Sequence, residues 1–177
     1  LWDRRYGFMN KALTSPISRS AIALGKMSAI SLISALQASL IIGIALAIGV
    51  NFPNPIMIIP IMGIVILFSL GFSGISVMVA ATAKSQETFW GVINFLGMPL
   101  FMISPALFPL ELLPDWLAMI AKLNPVTYTI LLVREMMTGV SEGGIPIIIS
   151  LGVLFTFVLV MAGIASYVFT REVNRPF

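Results

Sequence analysis

The chain has 177 residues, 59% of them hydrophobic and only 10% charged, with a mean hydropathy of +1.06; soluble domains carry about 25% charged residues, so a soluble globular domain is excluded. With no cysteine and no histidine, disulfides, thiolate nucleophiles, imidazole acid–base chemistry and the commonest transition-metal ligands are excluded too. The net charge of +3 comes from basic residues set beside hydrophobic runs rather than in a stripe interleaved with aromatics, which is a topogenic pattern and not a nucleic-acid-binding one.

The chain opens on Leu1, and no basic stub leads into a short apolar region. The sequence therefore predicts no signal peptide and a start inside a longer protein. Within residues 1–15, Trp2, Tyr6, Met9 and Leu13 fall on one helical face, with Asp3, Arg4, Asn10 and Lys11 off it. This predicts a cytoplasmic amphipathic helix. Periodicity alone favours a helix resting on lipid headgroups, as basic amphipathic helices do, over one that docks a partner.

No charge occurs between Lys26 and Lys84, and at about 1.5 Å rise per residue that stretch is too long to cross a core about 30 Å thick once. The two prolines and two asparagines of Asn51-Phe52-Pro53-Asn54-Pro55 break it and supply turn chemistry. Spans are predicted at 27–50 and 56–83, with Pro60 in the first turns of the second, where a missing amide is least costly. In the first span Ser31, Ala35, Ser39, Gly43 and Ala47 form a ladder of small residues at four-residue spacing. Such a ladder permits close helix packing in lipid, within the subunit or between two copies. Gln37 in the first span and Asn94 in the third are the bulkiest polar side chains inside spans. Interhelical hydrogen bonding is the simpler use of both, and lining a transport path is the functional alternative.

Lys84-Ser85-Gln86-Glu87 reads as a polar hinge with Ser85 as a helix cap. A third span is predicted at 88–107, kinked or ended by Pro99 and Pro105. Residues 108–144 are not a plain loop. Leu113, Trp116, Leu117, Ile120 and Leu123 recur at helical spacing, with Pro114 suited to the first helical position and Asp115 beside the positive end of the dipole. Asn124-Pro125 repeats the start signal, Val126 to Met137 forms a second helix, and Gly139 is placed to end it. Neither helix is long enough to span. The expectation is an outer re-entrant or interfacial pair packed on protein. A fourth span follows at 145–170, stopped by Arg171-Glu172-Val173-Asn174-Arg175.

Arg4, Arg5, Lys11, Arg19, Lys26, Lys84, Arg171 and Arg175 fall on one side of this topology, and only Lys122 and Arg134 on the other. The positive-inside rule makes the first side cytoplasmic. The predicted fold is thus all-α and polytopic: one transmembrane domain of four helices with both chain ends in the cytoplasm. No ionisable residue lies inside a span, which disfavours an ion-coupled carrier. The acids are scattered at the surfaces, so no catalytic or metal constellation is expected, and no Gly-rich phosphate loop is present. If transport is active, another polypeptide supplies the energy.

Asp3-Arg4-Arg5-Tyr6-Gly7 and Leu13-Thr14-Ser15-Pro16-Ile17-Ser18-Arg19 are followed by Phe108-Pro109-Leu110-Glu111-Leu112-Leu113-Pro114-Asp115-Trp116-Leu117, then by Leu123-Asn124-Pro125-Val126-Thr127-Tyr128 and Arg134. In this order, separated by these spans, they resemble the permease subunits of the second export class of ABC transporters, the group with daunorubicin-resistance-type drug exporters and polysaccharide or lipid exporters. The resemblance covers essentially the whole chain. It implies two further helices before Leu1, a second permease subunit (homo- or heterodimer), and a partner ATP-binding subunit. It implies a plasma-membrane location and no cofactor. It further implies that Arg4, Arg5, Tyr6, Gly7 and Lys11 couple to the ATPase, and that Pro109, Glu111, Pro114, Trp116, Asn124, Pro125, Tyr128 and Arg134 build the outer re-entrant motif. Where the family often has Ser-Gly before the Phe-Pro element, this chain has Ile103-Ser104-Pro105-Ala106. The implied function is ATP-driven export of a hydrophobic or amphipathic compound (drug, lipid or glycan class) by alternating access, as in multidrug resistance. The competing class is a non-transporting membrane scaffold or accessory subunit, which composition and topology fit equally well.

Overall fold

A computed structural model describes residues 18–50, 54–140 and 143–173, with Val173 described for its backbone only. The predicted cytoplasmic helix at 1–15, with Arg4, Arg5, Tyr6, Gly7 and Lys11, lies outside the described residues.

Helix α1 (Arg19–Ala47) starts at Ser18, whose Oγ accepts the Ala21 amide at 3.3 Å. It begins at Arg19 rather than at the predicted Met27. The apolar boundary at Lys26 marks a change of solvent, and nothing there interrupts the backbone ladder. Asn54 Oδ1 accepts the Ile56 amide at 3.1 Å and opens a 3₁₀ turn, Pro55–Met57, that runs into α2 (Ile58–Thr82). Pro60 falls in the first turn of α2, as expected. Ser85 caps α3 (Gln86–Ile103), accepting the Thr88 amide at 3.1 Å, with Glu87 in the first turn beside the positive end of the dipole. Helix α3 continues through Pro99 and stops at Ser104, whose extended backbone (ψ 161°) is the conformation that Pro105 imposes on its predecessor. It therefore ends short of Leu107.

A 3₁₀ turn (Leu110–Leu112) leads to α4 (Asp115–Ala121), α5 (Pro125–Thr138) and α6 (Ile147–Val173). Pro114 is the cap of α4 rather than its first helical residue, because its ψ of 147° is extended. Gly139 ends α5 in the left-handed region at φ 72°, where an L side chain would be strained.

Three stretches, Arg19–Ala47, Pro55–Thr82 and Ile147–Glu172, are long and apolar enough to cross a membrane. Helices α4 and α5 form a pair bent by 87°, a broken span or re-entrant elbow. Helix α3 is shorter, with 18 residues, and contains no buried residue. It leaves the end of α2 and meets the elbow near its own C-terminal end.

Helix α2 is the centre of the packing: α1, α5 and α6 all rest on it, α6 most extensively. Ala23 and Met27 of α1, Val77 and Ala81 of α2, and Ala165 and Phe169 of α6 form one buried cluster. That cluster ties together the helix ends that carry Arg19, Lys26, Lys84 and Arg171. At the opposite end Ile64, Tyr128, Leu132 and Leu154 form a second cluster, and Leu110, Ala121 and Leu131 a third. The molecule thus has a basic end and an elbow end. In lipid, helices associate through close packing and hydrogen bonds rather than by expelling water, and the contacts follow that rule. A Cβ on Gly71 would lie 2.6 Å from Phe157 Cδ1, and one on Gly74 3.0 Å from Met161 Cβ, so α2 and α6 touch nearly backbone to backbone. Between α1 and α2, Ser31 Oγ lies 2.8 Å from Ser69 Oγ and donates to the Ile66 carbonyl at 2.9 Å, and Ser73 Oγ donates to the Met27 carbonyl at 3.3 Å.

Candidate functional site: the elbow and its clasp

The end of α3 is built so that two carbonyls face outward. The Ser104 amide bonds Phe101 at 3.2 Å instead of Leu100. Pro105 has no amide to give, and Ser104 Oγ turns back on the Phe101 carbonyl at 2.5 Å. The Leu100 and Pro105 carbonyls are taken by side chains of the elbow: Asn124 Nδ2 donates to Leu100 O at 2.5 Å, and Arg134 Nη2 to Pro105 O at 2.9 Å.

Asn124 is only 4% exposed. Its Oδ1 accepts the Val126 amide at 3.0 Å and caps α5, so one amide group serves a donor and an acceptor at once. Four residues further, the Tyr128 hydroxyl donates to the Lys122 carbonyl at 2.6 Å and closes the end of α4 onto α5. Glu111 Oε1 accepts the Gly143 amide at 3.0 Å, fastening the 3₁₀ turn to the approach to α6. Four of the residues singled out for that motif, Glu111, Asn124, Tyr128 and Arg134, thus form a hydrogen-bonded clasp around the bent pair. Pro109 and Pro114 cap its short helices and Pro125 starts α5. Trp116 is not part of the clasp and is 66% exposed. At the position where the resemblance led to an expected Ser-Gly pair, Ser104 Oγ also accepts the Ala106 amide at 3.4 Å.

The other sequence-predicted residues are not gathered there. Of the small-residue ladder, Ser31 is buried and bonded to α2 and Ala35 is half-buried, whereas Ser39, Gly43 and Ala47 lie on an exposed face. Gln37 and Asn94 are exposed as well, on different helices. The apolar stripe predicted on α4 is split: Trp116, Ile120 and Leu123 are exposed, Leu113 and Leu117 are half-buried with Leu113 packed on the third cluster, and the residue that α4 buries is Ala121. Lipid is as apolar as a protein core, so an apolar stripe at membrane depth does not say which way it faces.

Sequence reading missed Ser69, Ser73, Gly71 and Gly74, although Ser69-Leu70-Gly71-Phe72-Ser73-Gly74 is a run of small residues inside a span and carries that signal. It could not have found Thr127. That side chain is fully buried, and its hydroxyl oxygen has no hydrogen-bond partner among the described residues. Among the described residues no group of three or more acids is placed to hold a metal ion.

The described residues thus form a bundle of apolar helices with a clasped, bent helix pair, as in a multi-pass membrane protein. Residues 1–138 match the family of ABC-2 type transporters, and the chain belongs to that family. It is 33% identical over 131 residues to the transport permease ycf38 of Cyanophora paradoxa, covering 73% of this chain and 45% of that protein. It is 31% identical over 179 residues to the Porphyra purpurea ycf38 permease, covering 95% of this chain and 60% of the relative. The linearmycin resistance permease protein LnrN of Bacillus subtilis is 27% identical over 162 residues, 91% of this chain and 38% of LnrN. No solved structure matches. The chain spans about half the length of the curated relatives it matches. It is a multi-pass membrane protein of the ABC-2 permease family.

Proposed function

We propose that the chain is the C-terminal part of the membrane-spanning subunit of an ATP-driven exporter that moves a hydrophobic or amphipathic compound out of the cytoplasm across the plasma membrane. The observation that carries this reading is the family match over residues 1–138, which takes in both the N-terminal basic segment and the elbow. The linearmycin resistance in LnrN's name is that protein's property, and it supports a cargo of the drug class here. In this reading α3 is a fourth crossing, the basic end and both chain ends face the cytoplasm, and the elbow lies outside. Arg4, Arg5, Tyr6, Gly7 and Lys11 meet a partner ATP-binding subunit, a second permease subunit completes the pathway, and alternating access moves the cargo.

Reversing Arg4 and Arg5 to Glu in the full-length subunit tests it. Like charges facing each other at an interface cost several kcal/mol, and about 1.4 kcal/mol is already tenfold in association. The double variant, once shown to insert correctly, is expected to lose ATPase co-purification and substrate-stimulated ATP hydrolysis. If it inserts, keeps its ATPase at wild-type stoichiometry and still transports, the coupling role fails.

A further inference from the structure

Where the approach to α2, the end of α5 and the start of α6 meet there is a pocket of about 320 Å³. Asn54 and Met57 line one side of it, the end of α5 from Glu135 through the cap Gly139 another, and Ile147 a third. We propose that it binds an organic monocation, an amine bearing one compact apolar group, with the ammonium at Glu135.

The charges at the pocket favour a cation. Glu135 is half-buried, and its carboxylate has no hydrogen-bond or ion-pair partner among the described residues. It stands near the C-terminal end of α5, where the helix dipole is negative and a cation rather than an acid is favoured. The last turn of α5 carries no basic residue. Arg134, beside Glu135 in the chain, holds the Pro105 carbonyl at 2.9 Å. The end of the helix is also left open. The Gly139 amide takes the Glu135 carbonyl at 2.8 Å, and the Val140 amide then goes to Thr138 Oγ1 at 3.2 Å instead of continuing the ladder. The carbonyls that follow Glu135 therefore keep the partial negative charge of a helix terminus. Carboxylate and helix end act with the same sign on whatever occupies the pocket.

The remaining lining selects the rest of the ligand. Met57, Met136 and Met137 contribute flexible, polarizable thioethers, which adapt to unlike shapes and make favourable contacts with aromatic rings. The volume lies at the low end of the roughly 300–1,000 Å³ of small-molecule sites, which suits one ring and a short linker. The site needs only the folded elbow end, and it stands whether or not the subunit exports anything.

The test is isothermal titration calorimetry of the purified full-length subunit in a non-ionic detergent, with 4-phenylbutylamine, an ammonium at neutral pH, and 4-phenylbutan-1-ol, its uncharged counterpart of the same length. Wild type is expected to bind the amine more tightly by about tenfold or more, the effect of one charge-assisted hydrogen bond. Glu135→Gln should bring the amine to the affinity of the alcohol and leave the alcohol unchanged, and Glu135→Asp should keep part of the preference. Thr138→Trp, which sets a ring at the pocket lip, should weaken both ligands, and Met57→Phe serves as the filler if the first variant does not fold. No measurable binding of the amine, equal affinities in wild type, or an amine preference that survives Glu135→Gln in a folded subunit overturns the proposal. So does undiminished binding in a folded filler variant, which would place the amine elsewhere on the subunit.

Discussion

The Asn124 side chain touches two groups of opposite kind, the Val126 amide and the Leu100 carbonyl, and substitutions can take them apart. Asn124→Ala removes both. Loss of the cap costs about 0.5–2 kcal/mol, and a buried carbonyl left alone costs about 1–3 kcal/mol. Asn124→Ser keeps a capping oxygen but does not reach Leu100, so it should fall between alanine and wild type. Asn124→Asp keeps the cap but sets an oxygen against the Leu100 oxygen, and is expected to be at least as damaging as alanine. Melting temperatures of the purified full-length subunit order the three, and an alanine variant that melts like wild type would remove the clasp from the account. Thr127 gives the opposite expectation. Its buried hydroxyl oxygen has no partner among the described residues, so Thr127→Val, nearly the same shape, should be neutral or stabilising by up to about 1–3 kcal/mol. A clear destabilisation would mean that the hydroxyl has a partner outside the described residues.

At the scale of helices, the α2–α6 contact depends on the absence of side chains. A Cβ on Gly74 would stand 3.0 Å from Met161 Cβ and 3.1 Å from the Met161 carbonyl oxygen, and backbone cannot step aside as a flexible side chain can. Gly74→Leu should therefore push the helices apart, at about 1–3 kcal/mol or more. On the same helix a Cβ on Gly63 meets nothing within 4 Å. Gly63→Ala should be neutral or stabilising, since alanine is favoured over glycine in a helix interior by about 0.8–1.0 kcal/mol. The paired melting curves check the contact, and equal effects at the two sites would argue against it. This contact was legible only as a run of small residues within a span. The ladder on α1 was the more regular pattern, yet only its Ser31 end is bonded to another described helix.

For the whole molecule, the grouping of Arg19, Lys26, Lys84 and Arg171 at one end predicts sidedness. The chain has no cysteine of its own, so single cysteines report without background. Cysteines replacing Asn54 and Lys122, both exposed at the elbow end, should react with an impermeant thiol reagent added outside cells expressing the full-length subunit. A cysteine at Lys84, exposed at the basic end, should react only after permeabilisation. External labelling at Lys84 would leave α3 without a crossing and would overturn the proposed orientation.

What the sequence by itself determined is what local backbone chemistry and solvent decide. It yielded an all-helical membrane fold, the breaks at Asn54-Pro55, Ser85, Ser104-Pro105, Asn124-Pro125 and Gly139, and which ends carry charge. Each of these depends on a cap, a proline, a left-handed glycine or an apolar run read within a few residues. Only the tertiary structure decided which faces pack, and which carbonyls Asn124 and Arg134 reach, 24 and 29 residues away. The reason is physical. In water, burial sorts apolar from polar faces and the sequence records the sorting. In lipid both environments are apolar, so α4 could bury Ala121 and expose Trp116, Ile120 and Leu123 with no change in its pattern of hydrophobic residues.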